Sequence, residues 1–122
     1  MSTILSITIS SAFEGSKTYT LEEDIQAGSE VKYRMTFDQS WCFNQIGVQK
    51  TVREISSLKV KRAFDEFMKT PVSICPEPVM GLDGTTTTIE IERGLNRVSY
   101  TWWEELPKEW KNLRKILKLF DI

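Results

Sequence analysis

The chain has 122 residues, sixteen Lys and Arg against seventeen Asp and Glu, a formal charge of −1, and no histidine. Its length suits one domain, able to bury roughly 60–70% of its unfolded surface without a metal or disulfide, so the whole chain is read as a single domain. Near-neutrality argues against a dedicated nucleic-acid binder. The missing imidazole excludes Ser-His-Asp triads, Cys-His pairs and histidine metal ligands.

Leu5, Ile7 and Ile9 alternate with Ser6, Thr8 and Ser10, the period of a strand, and Ile4 is an extra apolar residue ahead of them. This start lacks the positive region of a signal peptide, and no run reaches the ~20 apolar residues of a membrane span, so a cytoplasmic protein is expected. Glu14-Gly15-Ser16-Lys17 reads as a hairpin turn, Lys17–Leu21 as a short strand, and Glu22–Gly28 as an acidic connection. Val31, Tyr33, Met35 and Phe37 alternate with Lys32, Arg34 and Thr36, which predicts a half-buried strand. Asp38–Gly47, with Trp41, reads as a loop or strand end. From Gln49 to Lys69 the apolar residues Val52, Ile55, Ala63, Phe64, Phe67 and Met68 fall largely three and four apart. That spacing predicts a helix that kinks or begins at Ser56-Ser57.

Residues 70–84 hold Pro71, Pro76, Pro78, Gly81 and Gly84, which predicts a crossing loop. Thr85–Arg93 reads as a strand and Gly94-Leu95-Asn96-Arg97 as a hairpin loop, with Val98, Tyr100 and Trp102 answering Thr87, Ile89 and Ile91 across it. Pro107 suits the first turn of a last helix whose buried stripe is Trp110, Leu113, Ile116, Leu117 and Phe120. The order β-β-β-α-β-β-α predicts an α+β domain, an antiparallel sheet of about five strands with two helices packed on one face.

No motif here carries catalysis, a metal or a cofactor. Glu90 and Glu92 share the outward face of a strand, and Glu22-Glu23-Asp24 lacks the ligand spacing of a calcium loop. Leu82-Asp83-Gly84-Thr85 inverts the Asp-Thr-Gly of aspartic proteases and reads as a turn. Lys108, Lys111, Lys115 and Lys118 read as the wet face of a helix. Cys42 and Cys75, too far apart in sequence for a CxxC site, read as reduced and mostly buried thiols. Adjacent Trp102 and Trp103 must point to opposite faces of a strand, so one of them needs cover outside the core.

The segment LDGTTTTIEIERGLNRVSYTWWEELPKEWKNL, Leu82–Leu113, resembles small bacterial proteins in which a DGT turn opens a hairpin, a YxWW strand follows and a PxxWxxL helix closes the domain. Some of these resemble immunity proteins, which neutralise a toxin delivered by a competing bacterium. The resemblance implies a non-enzymatic protein that binds one protein partner. The acidic N-terminal third would suit a basic toxin such as a nuclease. The candidate contacts are Glu22, Glu23, Asp24, Trp41, Asp83, Trp103, Glu104 and Glu105. The alternative is a small-ligand or nucleic-acid-binding domain, using an aromatic pocket or the basic stripe of the last helix. A C2 homodimer is open on general frequency.

Overall fold

A computed structural model describes residues 2–11, 15–24, 31–40, 49–69, 71–77, 81 and 84–122. Strands β1 (Ser2–Ser11), β2 (Gly15–Asp24), β3 (Lys32–Ser40) and β4 (Gln49–Ile55) run ahead of helix α1 (Ser57–Lys69). Strands β5 (Thr85–Arg93) and β6 (Asn96–Trp103), a 3-10 turn (Lys108–Leu113) and helix α2 (Arg114–Lys118) follow. The six strands form one antiparallel sheet in the order β4-β3-β2-β1-β5-β6. The chain winds outward from β1 to β4, then crosses with α1 to return on the other side of β1.

Alternation decides the two faces. Leu5, Ile7, Leu21, Met35, Ile89, Ile91 and Trp102 are buried on one of them, and their neighbours in sequence point the other way. Ile7 stands between Tyr19 and Ile89 with no exposed surface. The extra Ile4 falls where the β1–β2 register shifts between Thr3 and Leu5, so the bulge absorbs it and both flanking stretches keep their faces.

Both helices cover that apolar face. Val60, Phe64 and Phe67 form the buried stripe of α1, four and then three residues apart. Phe67 meets Tyr100 edge-on with ring centres 6.3 Å apart, and Trp110 meets Tyr100 at 5.3 Å and Trp102 at 6.4 Å. Phe120 packs 5.7 Å from Tyr19. The Trp110 indole is anchored as well as buried, since its Nε1 donates to the Ser73 carbonyl oxygen at 2.7 Å. Among the described residues no helix is long and apolar enough to cross a membrane.

The structure departs from the sequence reading in its details. Of the two alternatives at Ser56-Ser57 the structure shows a beginning, not a kink: the helix starts at Ser57 with Val60 N–H bonded to the Ser56 carbonyl, and Gln49–Ile55, read as part of the helical pattern, is strand β4. The sheet therefore has six strands. Strand β2 reaches from Gly15 to Asp24 and takes in the start of the expected acidic connection. The β5–β6 loop is two residues, Gly94 and Leu95, because Arg93 already pairs with Asn96, and Gly94 turns the chain at φ 62°. The last helix starts as a 3-10 turn with a kink at Trp110. Cys75, expected buried, is exposed, and Cys42 lies outside the described residues.

Candidate protein-binding face

The second face of the sheet carries the polar half of the alternation in β1, β2, β3 and β5. Across the middle runs the row Asp38–Thr18–Thr8–Thr88–Thr101, one residue from each of β3, β2, β1, β5 and β6. Beside it runs Val52–Thr36–Thr20–Ser6–Glu90–Ser99. Short β-branched hydroxyl side chains suit a pleated surface. They also bond one another: Thr88 to Thr101 at 3.0 Å and Ser10 to Ser16 at 3.1 Å between hydroxyl oxygens. Charge is arranged in cross-strand pairs at one end. Glu22 stands opposite Arg34, which stands opposite Glu54, and Arg97 meets Glu92 at 2.8 Å.

The ring contacts of α1, of the 3-10 turn and of Phe120 are to residues of the apolar face. Gly81 and Gly84 approach the polar face at Trp103, and Thr36, near the β4 edge of the same face, is itself buried. A Cβ on either glycine would overlap the Trp103 indole, so only a bare backbone can lie against the ring there. Trp103 is therefore half-buried by its own chain.

The expected contact residues do not form one patch. Glu22 faces the open side and Glu23 the helix side, because neighbours on a strand alternate. Asp24 ends β2 opposite Lys32. Glu23 stands opposite Tyr33 and lines a cavity of about 540 Å³ with Lys61, Phe64, Asp65 and Arg93. Burial pushes the Tyr33 phenol up from its ordinary pKa, the Glu23 charge adds to this, and Arg93 opposes it. Trp103, Glu104 and Glu105 lie together at the other end of the sheet. Ser2 pairs with Glu23 and Ser11 with Thr85, so the length of β1, ~30 Å, separates the two groups. Glu104 is committed to the fold, since its Oε1 accepts from the Thr85 N–H at 2.9 Å. Trp41 and Asp83 lie outside the described residues.

What the sequence reading missed is the hydroxyl face itself. Its signal is the run of small hydroxyl residues Ser6, Thr8 and Ser10 with Thr86 and Thr88, which in sequence looks like any polar half of a strand.

A two-layer α+β domain with helices on one side of an antiparallel sheet and a hydroxyl-rich open face on the other is the class that fold and site define. No family model, curated protein or solved structure matches the chain.

Proposed function

We propose that this chain is a non-catalytic protein-binding domain that takes one protein partner on the open face of its sheet. The observation that carries the reading is that, among the described residues, the helices pack on the apolar face of a six-stranded sheet and leave the hydroxyl-rich face without a helix. Six strands spaced ~4.8 Å apart and averaging about nine residues present roughly 800 Å². A standard protein interface needs about 800 Å² from each partner. The face is pre-organised by the backbone ladder and its short side chains have little rotamer entropy to lose, so binding would cost little in ordering.

The finer reading is a bacterial immunity protein of the cytoplasm that neutralises a toxin by direct binding. The resemblance of Leu82–Leu113 supports it, and so does charge. Register positions on the open face carry Glu22, Asp24, Asp38, Glu54, Glu90 and Glu92 against Lys32, Arg34, Lys50 and Arg97. That acidic excess would steer a basic partner, such as a nuclease, towards it. The test is a pull-down from the source cell with the tagged protein, followed by expression of the captured protein alone and with this chain. A single stoichiometric partner, toxic alone and harmless when co-expressed, is the expected result. An empty bait, or a partner without toxicity, contradicts the immunity reading.

The second reading, a small-ligand domain, rests on the 540 Å³ cavity between β2, β3, α1 and the β5–β6 turn. Its volume suits a small molecule. Ligand-dependent shifts in thermal midpoint that Arg93→Ala abolishes would favour it.

A further inference from the structure

The sheet ends on one side at β4, and among the described residues no backbone group bonds to its outer edge. An open edge is a template for another strand. Val52, in the middle of β4, leaves 49% of its surface exposed. Consider two copies of β4 paired antiparallel about a two-fold axis at Val52. Gln49 of one copy then stands opposite Ile55 of the other, Lys50 opposite Glu54, and Thr51 opposite Arg53. Residues directly opposite share a face, so each copy sets a lysine position against a glutamate, twice per dimer.

The neighbouring registers fail. A slip must be by two residues to keep faces matched. In one direction Arg53 meets Arg53, and in the other Lys50 meets Val52 and both opposite-charge pairs are lost. Charged residues on an edge strand ordinarily discourage pairing. Here they favour the self-complementary register over both of its neighbours.

We propose that β4 pairs with β4 of a second copy, centred on Val52, in a C2 dimer that joins two six-stranded sheets into one. The dimer leaves the open face of each sheet uncovered, so it is independent of the partner binding proposed above.

Sedimentation velocity on the full chain tests this, with circular dichroism confirming that each variant folds. The wild type sediments as a dimer at micromolar concentration. Glu54→Lys and Lys50→Glu each set like charges opposite one another and weaken association by about tenfold or more. The double variant Lys50→Glu/Glu54→Lys restores the dimer. It does so although each swapped residue still faces a like charge within its own sheet, Arg34 beside position 54 and Asp38 beside position 50. Recovery therefore isolates the contact between copies. A wild type that stays monomeric, a dimer indifferent to the single swaps, a double swap that fails to restore it, or a dimer abolished by Val98→Lys on β6 overturns the proposal.

Discussion

Glu104 holds both main-chain groups of Thr85. Its own N–H donates to the Thr85 carbonyl oxygen at 2.7 Å, and its carboxylate Oε1 accepts from the Thr85 N–H at 2.9 Å. The residue sits at φ 59°, where a non-glycine backbone costs about 1 kcal/mol or more. Two hydrogen bonds hold it there, at the point where the chain enters β5 and leaves β6. Glu104→Ala removes one bond and keeps the strain, so stability falls by about 1–2 kcal/mol, read by urea denaturation. Partner capture on the open face is unchanged by it.

The contact of Gly81 and Gly84 with Trp103 gives a second expectation. Gly81→Ala pushes a methyl group into the indole. Overfilling a packed core costs about 1–3 kcal/mol, but here a loop can lift instead. Cleavage by a non-specific protease between residues 70 and 84 then accelerates, while the midpoint of global unfolding moves little. Unchanged cleavage would mean that position 81 takes a side chain without displacing its backbone from Trp103.

Ile7 is fully buried between Tyr19 and Ile89. Ile7→Ala removes three carbons at the centre of the sheet, and β-strand neighbours cannot collapse inward without breaking register. The expected loss is about 3–4 kcal/mol by chemical denaturation. Thr8→Ala, one residue along on the open face, costs under about 1 kcal/mol.

Tyr33 sets an alkaline limit. Burial, helped by Glu23, raises its folded-state pKa above the ordinary phenol value of 10.0, against the pull of Arg93. Below the unfolded pKa both states hold the proton and the contribution to stability is complete. Above it the unfolded chain ionises first and binds fewer protons, so stability falls as pH rises towards and through the folded pKa. Tyr33→Phe flattens this limb in denaturation curves measured between neutral and strongly alkaline pH. Tyr100, raised by burial alone, retains part of the slope in that variant.

The strands with one buried face were legible because burial imposes period two on the sequence, as in Leu5-Ile7-Ile9 and Tyr33-Met35-Phe37. Strand β4 was not. Its Val52 faces the open side and Ile55 the helix side, three residues apart, which mimics a helical stripe and runs into the true one at Val60. An edge strand with little buried surface leaves no alternation to read. The end of β2 was hidden by charge, since Glu22, Glu23 and Asp24 look like a loop until pairing with Arg34, Tyr33 and Lys32 shows that they continue the ladder. For the same reason the acidic run could not become one contact patch. Adjacent strand residues point apart, and the Trp103–Glu105 group lies a full strand length away.

The most direct test of partner binding on the open face is the affinity of the captured partner for Thr8→Arg. Thr8 lies mid-sheet between Thr18 and Thr88, on the face opposite the buried Ile7. With the fold intact by circular dichroism, affinity falls by about a hundredfold, the scale of a lesion at the centre of an interface. Undiminished binding would contradict the account and move the partner to another surface.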